Sequence, residues 1–405
     1  MSLTALLGAI VRDNDGRALG RIVDVVAELT PSGRTLRVTG LRAQIAGRDT
    51  LISMLQVRRL EPTAVLMASS HTRVLPFERE TGELLLRSDL LDRDLIDITT
   101  ARLVRAHDIL LATGKAEWHV AGIDPRRSAR LRRLLPRRWR ARSRRPPIYV
   151  AWESLEPFVN RSAPSRLRNA HRRLARLHPA QLADLIEAAS TSQGNEIFEA
   201  AGAVPGLKAN VLEELDDQRR RTLLRHYSNP EIAELLAHLP SDDVADLMLE
   251  LDQPRRRELL VLLPSATRSK IERLLSYNPH TAGGLMSADF LTVAADATAA
   301  EITSAVAASE LGPADLLAVY VHDTDQRLLG AIPLASLIRA SPQRRAGQLA
   351  DDTPTTDAHA DIPQLARLMA DYDLLSVPVI DDHDRLLGVI ALDDLIEHLL
   401  PDGPQ

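Results

Sequence analysis

Along the first third of the chain apolar and polar positions alternate. Ile22, Val23, Val25 and Val26 follow the turn residues Asn14-Asp15-Gly16, and β-branched runs recur at 35–41, 49–52 and 57–65. This is the period-two pattern and turn chemistry of hairpins. The pattern returns at 84–111, where Leu95, Ile96 and Ile98 face Leu103 and Val104 across a short turn, followed by Trp118, Val120, Ile123 and then Ile148-Tyr149-Val150. Two small antiparallel β modules are predicted, at 1–76 and 77–162. From about residue 163 to 280 the period changes to three and four. Short segments such as NPEIAELLAHL and SDDVADLMLEL each open on a capping residue and carry one apolar stripe, as at Ile232, Leu235, Leu236 and Leu239. Helices this short must bury their stripes on one another, which predicts a superhelical α-domain. The last stretch, 281–400, holds a duplication: 315–338 returns as 373–396 with more than half of its positions identical. Each copy reads helix, buried strand, Asp-rich turn, strand, helix. The fold class is therefore multidomain α+β, ending in a tail at 401–405.

Composition narrows this picture without changing it. A chain of 405 residues exceeds one core, and with 3% aromatics its cores must be aliphatic. With no cysteine, thiolate metal sites and disulfides are excluded, so any metal must be held by oxygen or imidazole. No apolar run is long enough for a membrane span, and no signal peptide is evident, so a cytoplasmic chain is expected. The net charge of −5 hides two poles. Eleven arginines and no acid lie between Arg126 and Arg145, while eight carboxylates and one arginine follow from Asp373 onward. The arginine run, with Trp139 in it, reads as a solvated loop with affinity for an anionic membrane surface, which would make the protein membrane-peripheral. Nucleic acid is not the expected partner, because no nucleic-acid-binding signature accompanies the run.

Several of these stretches resemble known families. YNPHTAGGLMSADF (277–290) is similar to the junction between the helical domain and the paired CBS domains of MgtE magnesium transporters, and the LPSDDVADLM segment resembles their N domain. The duplicated unit resembles the CBS domain. Gly16 and Gly20 before RIVDVVAEL, and the segment 84–111, resemble the PRC-barrel family. The resemblance implies a helical domain that moves against a CBS pair about a hinge at 277–286.

The acids supply the candidate chemistry. Asp242 and Asp246 are one helical turn apart, as are Asp394 and Glu397, so each pair projects from one face. Capping and dipole compensation account for Asp242 and Asp243 but leave Asp246 unexplained. The family resemblance implies Mg2+ at Asp242, Asp246, Asp373, Asp394 and Glu397. It also implies a nucleotide reading, in which Gly388 and Asp394 fit an adenosine-binding pattern while Ala391 replaces its hydroxyl. Asp89, Asp92, Asp94, Asp97 and Asp108 read as strand ends and turn caps. The expected protein is a non-enzymatic, magnesium-responsive regulator acting on a partner such as a membrane magnesium transporter in trans, and dimeric through its CBS pair. The alternative is an adenine-nucleotide-sensing adaptor whose barrels bind ribonucleoprotein or membrane.

Overall fold

The computed structural model describes residues 1–30, 35–69, 75–80, 82–114, 117–126, 149–157, 173–313 and 315–400. The chain divides into two compact units, Met1–Arg219 and Arg220–Gln405. The arginine run lies outside the described residues except for Arg126, whose guanidinium forks onto Asp124 at 2.9 and 2.8 Å.

In the first unit a short helix, α1 (Leu3–Leu6), leads into β1 (Ile10–Arg12), β2 (Ala18–Leu29), β3 (Leu36–Ile45) and β4 (Arg48–Ser53). There follow β5 (Val57–Leu60), β6 (Ala64–Met67), β7 (Leu75–Pro76) and β8 (Glu83–Leu85). The second β segment supplies β9 (Asp94–Asp97), β10 (Arg102–Arg105), β11 (Asp108–Gly114), β12 (Glu117–Asp124), β13 (Val150–Ala151) and β14 (Leu155–Pro157). The two predicted modules share their core and one sheet. The sheet runs β11-β12-β3-β2-β1-β6-β5, so a strand of the second segment, β12, pairs with β3 of the first. One apolar cluster runs from Leu3 through Val25 and Ile109 to Trp152 and Leu155. The helices α2 (Pro179–Ala188), α3 (Thr191–Ala201) and α4 (Leu207–Glu213) then pack on one another around Phe198 and Leu212.

Five further helices start twelve residues apart: α5 (Asp217–Leu224), α6 (Asn229–Leu236), α7 (Ser241–Glu250), α8 (Gln253–Leu262) and α9 (Ser265–Leu274). In the second unit each helix packs on the next but one, α6 on α8 and α7 on α9. That is the arrangement of a short solenoid. The seventh position of the repeat supplies core, with Leu223, Leu247, Leu259 and Ile271 buried. In the last two repeats the fourth position supplies a cap. Arg256 donates to the carbonyls of Leu249 and Leu251 (both 3.1 Å), and Arg268 does the same for Val261 (2.8 Å) and Leu263 (3.1 Å). Each arginine thereby satisfies carbonyls that the preceding helix leaves without an internal partner.

Two βα repeats complete this unit. The first contains α10 (Ala282–Leu285), β15 (Leu291–Ala294), α11 (Ala299–Ala308), β16 (Ala318–His322), β17 (Leu328–Pro333) and α12 (Leu334–Arg339). The second contains α13 (Ala346–Leu349), β18 (Thr356–Asp357), α14 (Ile362–Asp371), β19 (Ser376–Ile380), β20 (Leu386–Ala391) and α15 (Leu392–Leu399). Each sheet has its first strand parallel and its third antiparallel to the middle one. The middle and third strands are joined by a turn whose leading Asp accepts two backbone N–H groups. Asp323 takes those of Asp325 (2.8 Å) and Arg327 (2.9 Å), and Asp381 those of His383 (2.8 Å) and Arg385 (2.9 Å).

Within the stretch 277–290 the backbone is also bound to the second repeat. Ala282 N–H donates to Ala360 O (2.9 Å) and Gly283 N–H to Ala358 O (2.8 Å), which ties α10 to the second repeat. Reciprocally, Ala346 N–H donates to Ala297 O (2.7 Å) and Gly347 N–H to Ala295 O (2.8 Å), which ties α13 to the first repeat. TAGGLM and RAGQLA are therefore equivalent straps, each opening one repeat and lying on the other. The glycines of the first serve close approach, since both have ordinary φ and a Cβ at Gly283 would lie 2.6 Å from the Tyr277 ring.

Candidate functional site

The acidic site lies in the second unit, where α7 meets the two repeats. Pro240 starts α7 and offers no side-chain cap, so Asp242 and Asp243 stand in the first turn, at the positive end of the helix dipole. Asp242 is half-buried, and its Oδ1 is fully buried with no hydrogen-bond partner. Burial pushes its carboxyl up to about 6; the Ser287 hydroxyl opposes this, and the charges of Asp315 and Asp289 add to it. Asp394, in the first turn of α15, is pushed up to about 7, first by burial and then by Asp242 and Asp393. Its Oδ2 also accepts the Ala391 N–H at 3.3 Å, a capping bond. Asp315 is raised by burial, by Asp289 and by Asp393. Asp242, Asp315 and Asp394 are thus each raised by neighbouring carboxylates, and Asp242 keeps one buried oxygen without a partner.

Asp246, one turn further along α7, meets a different neighbourhood. Its carboxyl is pushed up to about 6 by burial, while Arg220 lowers it and Glu250 and Glu397 raise it. Arg220 pairs with Glu250, both side chains being 14% exposed. Glu397 is exposed, and so is Asp246 by residue surface. Asp373 is exposed and sits just past α14 with φ 51°, a left-handed helix-ending position that Asp tolerates.

The structure therefore brings Asp242 near Asp394 and Asp246 near Glu397. It leaves Asp373 on the surface. Among the described residues no three His, Asp or Glu side chains converge closely enough to hold a metal ion. Asp315, which sequence reasoning passed over, is the counterpart of Asp373 in the duplication; that equivalence was the available signal. Gly388 is filled from within the protein, since a Cβ there would lie 2.7 Å from the Met286 side chain and from Ser287 O. The β-region acids are structural. Asp108 accepts Thr4 N–H (3.1 Å) and Oγ1–H (2.7 Å), Asp97 accepts Thr99 N–H (3.0 Å) and Thr100 Oγ1–H (2.8 Å), and Asp89 accepts Leu85 N–H (2.8 Å).

A run of short capped helices leading into a reciprocally strapped pair of βα repeats is the domain order of MgtE cytosolic regions. Residues 177–280 match the MgtE intracellular N domain, and residues 346–401 match the CBS domain. The chain is 32% identical over 139 residues to the magnesium transporter MgtE of Thermus thermophilus, covering 34% of this chain and 31% of the transporter. It is 30% identical over 135 residues to the MgtE of Enterococcus faecalis, covering 33% and 30%. The chain thus spans about a third of the length of the transporters it matches. The cytosolic domain of the Mg2+ channel MgtE, solved in complex with ATP, superposes with TM-score 0.52 at 28% identity, covering 57% of this chain and 94% of that domain. These are regulatory rather than enzymatic domains. No helix among the described residues is long and apolar enough to cross a membrane.

Proposed function

We propose that this chain is a non-enzymatic, magnesium-responsive regulatory protein that works at the cytoplasmic side of the membrane. The observation that carries this reading is the buried, unpartnered Oδ1 of Asp242 facing Asp394 across the junction of α7 with the repeats. A group of like charges at reduced solvation is costly while bare. Its donors are all oxygen, which suits a small hard divalent cation that keeps several of its waters. When bound, Mg2+ supplies positive charge to the cluster. Asp242 would contribute from the helical side and Asp394 from the repeat side, with waters completing the shell, and Asp246 with Glu397 extends the same face by one turn. Residues on both sides of the junction would then favour the closed arrangement, which is the differential interaction a switch needs. Similarity to the cytosolic domain of a magnesium channel supports the choice of cation. A membrane magnesium transporter is the partner we propose, and a second copy of the chain, joined through the CBS pair, the oligomeric state.

A nucleotide reading draws support from the ATP held by that similar domain. The filled surface at Gly388 weighs against the site expected for it.

The test is a magnesium titration of the full chain followed by small-angle scattering and limited proteolysis. Compaction and protection saturating at or below about 10 mM are expected, the range of weak oxygen-donor sites. No change over that range would overturn the proposal, and a response to ATP alone would favour the nucleotide reading.

A further inference from the structure

The helix that carries Asp242 does not begin on a cap of its own. The residue before it is proline, and its first N–H, that of Ser241, is met from elsewhere in the chain: Asp289 Oδ2 accepts it at 2.7 Å. The other oxygen of the same carboxylate, Oδ1, accepts Lys270 Nζ from α9 at 2.6 Å. Ser241 returns the contact, its buried Oγ accepting the Ala288 N–H at 2.9 Å. Two residues back along the same segment, Ser287 exchanges backbone hydrogen bonds with Val389, its N–H donating at 2.8 Å and its carbonyl accepting at 2.9 Å. Val389 lies in β20, which runs directly into α15 and Asp394. A continuous path therefore joins the two acids: Asp242 on α7, Ser241, Asp289, Ser287, Val389, β20, Asp394.

We infer that Asp289 is the positioning residue of this junction, fixing the first turn of α7 against β20 and so setting how Asp242 stands opposite Asp394. A carboxylate shared between a helix N–H and a lysine is a charge-assisted pair, stronger and more directional than a neutral contact. Burial pushes Asp289 up, but the bonds from Lys270 and Ser241 prevail and hold it below the usual carboxylate range. It remains the charged acceptor this geometry requires. Lys270 lies on α9, two helices further on, so the clamp spans α7 and α9 together, the two solenoid helices that pack on each other. The part of this inference that concerns cation affinity rests on the function proposed above; the joint itself does not.

Two measurements on the full chain test it. The first is amide hydrogen exchange of the metal-free protein. Asp289→Ala should speed exchange at Ser241, Ser287 and Val389 about tenfold or more, the effect of losing a charge-assisted bond. Val319 and Tyr320 in β16 should keep their protection. Lys270→Met, which leaves the cap on Ser241 intact, should give a smaller change at the same amides, and it carries the test if Asp289→Ala fails to fold. Unchanged exchange at Ser241 and Val389 in either folded variant would overturn the assignment. The second is calorimetric Mg2+ affinity in two backgrounds. Asp289→Ala should weaken binding about tenfold in the wild-type background and add nothing in Asp394→Asn, whereas its effect on thermal stability should be the same in both. Equal weakening in both backgrounds would reduce Asp289 to a general structural role. Wild-type affinity that ignores Asp394→Asn would instead sink the magnesium reading, and the exchange experiment alone would then decide whether the joint stands.

Discussion

Asp242 and Asp246 occupy the same face of one helix, a single turn apart, and both are raised to about 6, yet their neighbours differ. Asp242 faces Asp394, Asp315 and Asp289 with one oxygen buried and no donor to it. Asp246 faces Glu397 and Glu250, but Arg220 stands among them and lowers its carboxyl. In the first group Lys270 neutralises Asp289 and leaves Asp242 among carboxylates; in the second Arg220 acts on Asp246 itself. Helical spacing put both acids on one face, but only the tertiary neighbours set what surrounds each.

Removing the pair Asp242 and Asp394 should have the largest effect. Asp242→Asn together with Asp394→Asn should abolish the magnesium response and stabilise the metal-free protein at pH 7.5 by about 2 kcal/mol, a scale discounted for partial exposure from what carboxyls raised to about 6 and about 7 would give. Chemical denaturation with and without Mg2+ checks both halves.

A pH dependence of related size follows from the same groups. Asp242 and Asp394 are raised to about 6 and about 7, so the folded chain binds their protons more tightly than the unfolded chain does. Their contribution is fully present below about pH 4 and is lost as pH rises through 6 to 7. Metal-free stability should therefore fall across that window, and the fall should flatten in the double variant. Thermal unfolding at a series of pH values measures the slope.

Arg220→Met should turn the second pair into a copy of the first. Without the guanidinium, Asp246, Glu250 and Glu397 would gain sensitivity to divalent cations, while Asp246→Asn in the intact protein should change magnesium affinity by less than about fivefold, as for partly exposed charges. Calorimetry on the two variants separates the cases. The smallest effect belongs to Asp373. Asp373→Gly should leave the magnesium response unaltered and shift stability by no more than about 1 kcal/mol, because its position asks for φ above zero rather than for a carboxylate.

Much of this fold could be read along the chain, and the exceptions have identifiable causes. The apolar stripes at Ile232 and Leu236 announced short stacked helices, but their twelve-residue period was masked. The fourth position varies in character, arginine at 220, 256 and 268 but isoleucine at 232 and valine at 244, because Arg256 and Arg268 cap carbonyls where the two aliphatics fill core. The duplication was visible from Asp315 and Asp373 onward, yet TAGGLM and RAGQLA were not matched to each other. They lie 64 residues apart, whereas the second and third strands lie 58 apart, because the loop after α11 is longer in the first copy. The stretch read as a joint also serves as the strap of a repeat.

The site was legible only in part. Helical spacing paired Asp242 with Asp246 and Asp394 with Glu397, but it could not show that Asp315 joins the cluster while its counterpart Asp373 faces water. Nor could it show Asp289 capping a helix 48 residues earlier in the chain. Those depend on which repeat lies beside α7, a non-local fact.

The most direct test of the central claim is calorimetric titration of Mg2+ into the full chain and into Asp242→Asn/Asp394→Asn at pH 7.5. Saturable binding by the wild type that is lost in the double variant is the expected result. Equal binding by both, or none by the wild type up to about 10 mM, would contradict it.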